Sequence, residues 1–405
     1  MTKYVSGKVL SKYLYIILCV ILLLLTAGQL YSSVLTDPHS GWDYRVYLGG
    51  VQSINHGENP YDLPNVTQYS KESNPFTYPP HTLFFLWCIQ VFFIFQSIWV
   101  YYAILVALLI VSGCIILTMD QKPQYLFFVT LLLTGFTSTF WNFLTGNKDI
   151  LFLFLFAWIF YLLMREKLWQ SSIVMGLMGS FSLITIPFIA IYLVVKRSVT
   201  ERIQYILLSI GVVAVIFLIT WLVSPSLLMS YIETLSGKTS PIYDKSGWYT
   251  LTPFLMFGVL VNRSVGGTTT PMILVSSVYI CLILSASWFV IRKNQENQLI
   301  LYSFVMLAIF MVLPRIKAYD FIILTLPLYF LFKDFGNNVK VLVLVVVSLL
   351  PLSVWYYFLI DHTQPISYLT YLIHEYSLTF SLLLIFIIAF TLAYYQPICL
   401  SDDQT

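Results

Sequence analysis

The stretch GWDYRVYLGGVQSINHGENPYD, residues 41–62, decides how the rest of this chain is interpreted. It begins a few residues after the first long apolar run, at 13–35, and so places a carboxylate, Asp43, near the mouth of a membrane helix. A charged side chain at the centre of such a helix costs about 2.5–3.5 kcal/mol, which makes acidic residues in and beside membrane helices functional candidates. Asp43 is therefore the first candidate functional residue.

The composition is typical of a polytopic membrane protein. Of 405 residues, 59% are hydrophobic and 10% are charged, whereas about 25% are charged in soluble domains. The net charge of +3 is dispersed and contains no basic run, so nucleic-acid binding is not predicted. The five histidines lack the spacing of metal ligands, and no phosphate-binding or dinucleotide motif is present. We therefore predict neither a metal site nor a cofactor.

Apolar runs predict an all-α protein with about twelve membrane segments, since one span needs about 20 apolar residues. The predicted helices lie near 13–35, 97–118, 125–142, 150–164, 203–223, 271–290, 299–313, 321–332, 340–360 and 377–395. Basic residues flank the run 171–195 on both sides, and Pro187 interrupts it. We expect this run to form two short helices that enter from the cytoplasm and return. Both chain termini are then cytoplasmic, and most Lys and Arg residues lie inside, as the positive-inside rule requires.

The whole chain, 1–405, is expected to form a single integral membrane domain. Its predicted parts are the first membrane helix 13–35, a long ordered first external loop 36–96, core helices 97–332 and C-terminal helices 333–405. The run 82–96 inside the first loop holds about 14 apolar residues, which favours an interfacial or re-entrant helix. This topology gathers the long loops on the non-cytoplasmic face.

The first loop supplies the largest group of candidate site residues. Prolines and the Asn59-Pro60 pair favour defined turns, so we expect this loop to be ordered and able to hold a sugar. An acid beside a helix end is more often a cap or an ion-pair partner, and Asp43 with Arg45 fits that alternative. Besides Asp43, the candidates in the loop are Tyr44, Arg45, Tyr47, Tyr61, Asp62, Tyr78 and His81.

The segment PRIKAYD, residues 314–320, lies between two short apolar runs. Residues 299–332 would extend about 50 Å as a helix, less than the roughly 60 Å that two crossings need, so this loop should dip toward the hydrocarbon. Non-helical backbone at that depth persists only where it lines a cavity or water. Two cations there suit a phosphate leaving group on a lipid, whereas lipid-headgroup contact is the alternative. The candidates are Arg315, Lys317, Tyr319 and Asp320.

The third candidate segment is GNKD, residues 146–149. Asn147 and Asp149 carry groups that donate to or accept from sugar hydroxyls. An ordinary polar turn is the alternative interpretation of this segment.

The first loop resembles that of glycosyltransferase family 87, the polyprenyl-phosphate-mannose-dependent mannosyltransferases of the C-type membrane superfamily. DYRVYLGGVQSINHGENPYD followed by FTYPPHTLFFL is similar to the family pattern D-x-x-x-Y…G-x-x-P-Y-D…Y-P-P. GNKD and PRIKAYD extend the resemblance weakly, so that it covers about 40–330. The chain departs from the family in the cytoplasmic hairpin, where Pro187 is present but the family lysine before it is not.

The resemblance implies a C-type glycosyltransferase fold and a hexosyltransferase, with mannose the expected sugar. The donor would be a polyprenyl-phosphate sugar, and the acceptor a lipid or a glycan. Transfer would occur with inversion on the non-cytoplasmic face of a membrane, for which we expect a bacterial inner membrane, without a nucleotide or an obligatory metal. Asp43 matches the general base of the family loop. One acid for the acceptor hydroxyl and separate cations for the phosphate meet the needs of that reaction.

Two other functions remain open on the sequence. A flippase or transporter of lipid-linked sugars would also need a polar cavity among many helices, but the chain shows no internal repeat and its polar residues gather on one face. An oligosaccharide ligase or polymerase would use a diphosphate-linked donor. Donor chemistry separates these enzymes from a mannosyltransferase.

Overall fold

The computed structural model describes residues 2–36, 40–93, 97–235, 269–294, 296–313, 316–349 and 368–395. Every regular element in these residues is helical, which confirms the all-α prediction. The α-helices are α1 Thr2–Leu30, α2 Trp42–Asn55, α3 Leu63–Ser70, α4 Pro80–Phe93, α5 Ile98–Thr118, α6 Tyr125–Thr134, α7 Ser138–Thr145, α8 Asp149–Met164, α9 Leu168–Phe181, α10 Val199–Val223, α11 Pro225–Leu235, α12 Thr269–Lys293, α13 Gln298–Val312, α14 Thr325–Phe332, α15 Asn337–Leu349 and α16 Tyr368–Tyr395. A π-helical turn, Tyr31–Leu35, extends α1, and 3₁₀ segments occur at Gly135–Thr137, Leu183–Val194 and Asp320–Leu324.

Six described helices are long and apolar enough to span a membrane, so the chain is an integral membrane protein. They are Val9–Leu30, Ile98–Thr118, Tyr125–Thr145, Val199–Val223, Leu274–Lys293 and Ser377–Tyr394. Five shorter apolar helices accompany them: Asp149–Met164, Leu183–Val194, Gln298–Val312, Asp320–Phe332 and Asn337–Ser348. The count of about twelve membrane segments stays a prediction.

The membrane helices differ in how much of their surface the protein covers. In the most apolar 18-residue stretch of Val199–Val223, only 11% of the residues are buried within the protein. The corresponding share for Tyr125–Thr145 is 78%. Apolar side chains that remain exposed along a spanning helix are compatible with lipid but not with water. The helices α6 and α7 therefore lie near the centre of the protein, and α10 lies at its periphery.

The apolar run 171–195 is divided at Ser182, whose backbone is extended. It separates α9 from the 3₁₀ segment Leu183–Val194, so the run does form two segments. The sequence places the break at Pro187, but this proline lies inside the second segment. A proline ring is incompatible with a continuing α-helical ladder, and the tighter 3₁₀ winding accommodates it here. That the run enters from the cytoplasm and returns stays a prediction.

The predicted helix 125–142 is interrupted between α6 and α7. Phe136 and Thr137 both adopt left-handed backbone conformations, with φ of 50° and 59°, which are unfavourable for residues with a Cβ atom. Packing maintains them: both residues are buried, and the Phe136 ring lies 4.7 Å from that of Phe321. The interruption separates α7 from α6.

The first loop packs around a small apolar cluster of its own. Its buried members are Val46, Tyr47, Val51, Tyr61, Val66, Phe76 and Leu83, with Leu228 and Tyr231 from α11. The helices α2 and α3 approach closely at Gly49, where a Cβ atom would lie 2.9 Å from both Ser70 Cβ and the Val66 carbonyl oxygen. The run 82–96 forms α4 as far as Phe93; residues 94–96 lie outside the described residues. Its interfacial position stays a prediction.

A buried ion pair joins the α5–α6 connection to the end of α14. Asp120 Oδ1 pairs with Lys333 Nζ, and Asp120 Oδ2 accepts a hydrogen bond from the Tyr329 hydroxyl, each at 2.5 Å. The Lys122 backbone N–H donates to Oδ1 at 3.1 Å. Because the carboxylate is fully buried, its partners offset the loss of hydration. This pair holds the central helices together at one end. The first loop contacts them at the opposite end, through α7.

Candidate functional site

The first loop reaches the helical core at the start of α2. Gly41 has a left-handed backbone with φ of +84°, and its N–H donates to the Leu144 carbonyl of α7 at 2.7 Å. Asp43 follows in the first turn of α2, where the helix dipole favours a carboxylate. Tyr47, four residues later, lies on the same face of the helix. The half-buried Asp43 is thus held against α7.

The turn between α7 and α8 supplies the partner of this carboxylate. Gly146 ends α7 with φ of +70°, as is common for a residue just beyond a helix C-terminus. The fully buried Asn147 follows, and its Nδ2 donates to Asp43 Oδ2 at 2.9 Å. Asn147 Oδ1 accepts from the backbone N–H of Asp149 at 3.2 Å. The side chain of Asn147 therefore orients Asp43 and is itself fixed by the start of α8.

The turn is packed so closely that it has no room for a side chain at Gly146. A Cβ atom there would lie 2.8 Å from Tyr44 Cβ and 3.2 Å from Gly41 Cα. The first loop and the α7–α8 turn therefore form one rigid contact, because either backbone would have to move if the other did.

The segment that follows α13 completes the cluster. Asn142 Nδ2, on α7, donates to the Tyr319 carbonyl at 2.9 Å. Asp320 Oδ2 accepts from the Lys317 backbone N–H at 2.6 Å, which closes a tight turn. The Lys317 ammonium is close enough to Asp43 for its charge to favour the ionised carboxylate. Three segments far apart in sequence therefore meet at Asp43.

The electrostatic environment of Asp43 is mixed. Burial raises the pKa of this carboxyl above its ordinary value, and the positive charge of Lys317 and the hydrogen bond from Asn147 oppose that change without cancelling it. A carboxylate with a raised pKa is a better proton acceptor than an exposed one. Such perturbed acids are typical of catalytic sites.

Tyrosine rings form one side of the cluster. The hydroxyls of Tyr47 and Tyr78 are 3.2 Å apart, and the Tyr61 hydroxyl donates to the Tyr78 carbonyl at 2.7 Å. The Tyr44 ring stacks on that of Tyr101, at the start of α5, with centroids 4.8 Å apart. The Tyr101 hydroxyl is buried and has no hydrogen-bond partner among the described residues. Aromatic faces with hydroxyls beside them suit a sugar, which has apolar faces and a polar rim.

The structure brings together most of the predicted site residues. Asp43, Tyr44, Tyr47, Tyr78, Asn147, Asp149, Lys317, Tyr319 and Asp320 contact one another or influence one another's charge in the cluster. Tyr61 lies behind Tyr78 and supports it. Arg315 lies outside the described residues.

Three predicted residues have other surroundings. Arg45 pairs with Glu72 at 2.6 Å and donates to the Ser40 carbonyl at 2.7 Å, so it braces the first loop. Asp62 is exposed at the start of α3. His81 bonds through Nε2 to the Ser180 carbonyl at 2.8 Å, which attaches α4 to the end of α9.

Two residues of the cluster escaped the sequence analysis. Tyr101 occupies the beginning of a membrane helix, where tyrosine ordinarily anchors at the interface. Lys148 lies inside GNKD, between Asn147 and Asp149, and a lysine in a short polar turn is ordinarily a solvated charge. Tyr101 and Lys148 stand out only once GNKD is known to lie beside Asp43. The sequence alone does not show that proximity.

Comparison with known proteins gives a family. The model of one protein family, described as Glycosyltransferase family 87, matches residues 76–314, more than half of the chain. The matched region contains GNKD and begins after Asp43. No curated protein matches the chain.

Proposed function

This chain belongs to glycosyltransferase family 87, and from that premise we propose that it transfers a hexose, with mannose the expected sugar, from a polyprenyl-phosphate donor to a lipid or glycan acceptor. The observation that carries the proposal is the half-buried Asp43 carboxylate, oriented by Asn147 and close to the Lys317 ammonium. A proton acceptor and a cation in one site are the two groups that this transfer requires.

Asp43 acts as the general base. The oxygen of the acceptor hydroxyl attacks the anomeric carbon, and the proton of that hydroxyl passes to the carboxylate. Asn147 binds Oδ2, and Oδ1 is proposed to take the proton. Attack opposite to the leaving phosphate inverts the anomeric configuration. A positioned base of this kind contributes about 10²–10⁴-fold to the rate.

The bond between the anomeric carbon and the phosphate oxygen breaks at the same time, and its electron pair stays with the phosphate. The donor phosphate is a diester with one negative charge, and the departing polyprenyl phosphate carries two. A cation near that oxygen is therefore worth more in the transition state than in the ground state. Lys317 supplies this cation, and Arg315, two residues before it, is proposed to assist.

The tyrosines and the polar side chains of the α7–α8 turn bind the sugar. Tyr44, Tyr47 and Tyr78 present rings and hydroxyls beside Asp43. Asp149 contributes a buried carboxyl group whose Oδ2 has no partner within hydrogen-bond distance among the described residues, and burial together with the neighbouring Asp320 raises its pKa well above the ordinary value. An unsatisfied buried acceptor is costly, and a sugar hydroxyl would satisfy it. We place this site on the non-cytoplasmic face, with both chain termini in the cytoplasm.

The test is transfer of labelled mannose from synthetic polyprenyl-phosphate-mannose to lipid acceptors in membranes. Asp43→Asn should lower the rate by about 10²–10⁴-fold while the protein still folds, because asparagine keeps the shape but accepts no proton. Glu296→Gln, which removes an exposed carboxylate between α12 and α13, is the matched control and should transfer at the wild-type rate.

Transfer by Asp43→Asn at the wild-type rate would remove the general base from the proposal. No transfer by wild-type protein, together with movement of the labelled donor across the bilayer, would indicate a flippase instead. Transfer only from a diphosphate-linked donor would indicate a ligase or polymerase.

A further inference from the structure

Lys148 lies in the α7–α8 turn, between the side chain that holds Asp43 and the first residue of α8. Its ammonium nitrogen, Nζ, is 3.7 Å from the centroid of the Tyr78 ring and 4.7 Å from that of Phe152. Both contacts are cation–π interactions. The charge of Lys148 is therefore held at the tyrosine wall of the site.

Within the described part of the chain, the Lys148 ammonium has no anionic partner of the kind that a lysine in such a place usually has. Among the described residues, no carboxylate oxygen lies within 4.0 Å of Lys148 Nζ. An ammonium has three donors, and an aromatic face satisfies none of them as a hydrogen-bond acceptor would. Burial accordingly lowers the pKa of Lys148 to about 8. The contacts at Tyr78 and Phe152 leave donors for another oxygen.

A second ammonium faces the same place. The charge of Lys317 disfavours the protonated form of Lys148, so the two cations are near each other. Two cations near each other repel each other, and an anion bound by both relieves that repulsion. The charged groups that face Lys148 are Asp149, Asp320, Asp43 and Lys317. None of these three carboxyl groups forms an ion pair with Lys148.

We propose that Lys148, together with Lys317, binds the phosphate of the lipid-linked donor and stabilises the second negative charge that this phosphate gains as the glycosidic bond breaks. The proposal rests on the proposed function. It gives Lys148 a catalytic role, since its ammonium contacts the leaving oxygen atoms. Phosphate oxygens provide the acceptors that Tyr78 and Phe152 cannot provide.

The choice of phosphate over a sugar hydroxyl follows from charge. The sugar is neutral, and Asn147 and Asp149 already provide polar partners for its hydroxyls in the same turn. A cation held partly out of water, as the half-buried Lys148 is, is stabilised more by an anion than by a neutral oxygen.

The test compares Lys148→Met, Lys148→Arg and the control Lys71→Met in donor turnover. Lys71 is exposed at the end of α3, in the same loop as Asp43. Lys148→Met should lower kcat by about 100-fold, the usual effect of removing one group that stabilises developing charge. Lys148→Arg should recover much of kcat because it keeps the charge, and Lys71→Met should match wild type. Wild-type kcat in Lys148→Met would overturn the proposal.

A binding measurement separates this role from a purely structural one. Farnesyl phosphate and farnesol share a lipid chain and differ in the phosphate. Lys148→Met should weaken inhibition or thermal stabilisation by farnesyl phosphate by about tenfold, as expected for one charge-assisted hydrogen bond, and leave the response to farnesol unchanged. Equal weakening of both responses would show that Lys148 only supports the shape of the site.

Wild-type protein provides a further measurement if Lys148→Met does not fold. The affinity for farnesyl phosphate should decrease by up to about tenfold per pH unit above about pH 8, because the ammonium loses its proton there, whereas the affinity for farnesol should not change. A flat response to farnesyl phosphate between about pH 7.5 and about pH 9.5 would overturn the proposal.

The outcomes for Lys148 and for the enzyme as a whole are distinguishable. Phosphate-dependent binding through Lys148 without any sugar transfer would contradict the proposed function and leave the binding site intact. Normal transfer by Lys148→Met would contradict the site and leave the function intact.

Discussion

Asn147→Ala removes the amide that holds the Asp43 carboxylate. Asn147 Nδ2 donates to Asp43 Oδ2 at 2.9 Å, and a hydrogen bond to an ionised group contributes about 1.5–3 kcal/mol. The protonated carboxyl gains only about 0.5–1.5 kcal/mol from such a bond, and one pKa unit corresponds to about 1.36 kcal/mol, so loss of the bond should raise the pKa of Asp43 by about one pH unit. The direction is upward because the amide N–H stabilises the ionised form more than the protonated form.

The assay is the pH dependence of kcat/KM for sugar transfer from the lipid-linked donor. The proposed base works only when ionised, so activity decreases as pH falls through its pKa. In Asn147→Ala this acidic limb should move to higher pH by about one pH unit. The lost bond to the Asp149 backbone N–H lowers stability by about 1 kcal/mol in addition, which thermal unfolding in detergent measures separately.

Asn65→Ala is the matched control, because the amide of Asn65 donates to the Asn59 carbonyl at 3.0 Å in the same loop. It removes a comparable hydrogen bond and should leave the acidic limb where wild type has it. An acidic limb in Asn147→Ala that coincides with that of wild type would refute the reasoning that this amide tunes the pKa of Asp43.

Two further predictions concern stability. Gly146→Ala should reduce both stability and transfer, because the turn needs φ of +70° and the new Cβ would lie 2.8 Å from Tyr44 Cβ. Gly57→Ala is its control, since Gly57 also has a positive φ, +76°, but has open space around it. It should lower the free energy of unfolding by only about 1–2 kcal/mol and keep transfer. Asp120→Asn should lower the free energy of unfolding by about 1.5–3 kcal/mol, the worth of a hydrogen bond to a charged group, because Lys333 then has only the half-exposed Asp334 carboxylate, at 3.7 Å, as an anionic partner. Thermal or denaturant unfolding in detergent checks these values, and Asp120→Asn combined with Lys333→Met should be less destabilised than Asp120→Asn alone.

Long uninterrupted apolar runs were predictable from the sequence. The runs 97–118 and 150–164 correspond to α5 at Ile98–Thr118 and α8 at Asp149–Met164, because each is bounded by polar residues. The interruption inside 125–142 was not predictable. Its left-handed residues, Phe136 and Thr137, are types that normally avoid this conformation; long-range packing on Phe321 maintains them, and sequence periodicity contains no such information.

The candidate site was predictable in its parts but not in its arrangement. The interpretation of Asp43 with Arg45 as a pair failed for a geometric reason: residues two apart on a helix point to different sides, and Arg45 instead pairs with Glu72. Conversely, Asn147 bonds to Asp43 from 104 residues away, a contact that neither segment indicates alone. Lys148 was passed over for the same reason.

The first loop and the α7–α8 turn cannot be exchanged separately. They are joined by the hydrogen bond from Gly41 to Leu144, by the hydrogen bond between Asp43 and Asn147, and by the close backbone contact at Gly146. A loop exchange between homologues that transplants only the first loop would separate two surfaces that fit each other atom by atom. The smallest exchangeable unit is the first loop together with 142–149, so this part of the protein is expected to be inherited, and to be engineered, as a discontinuous module.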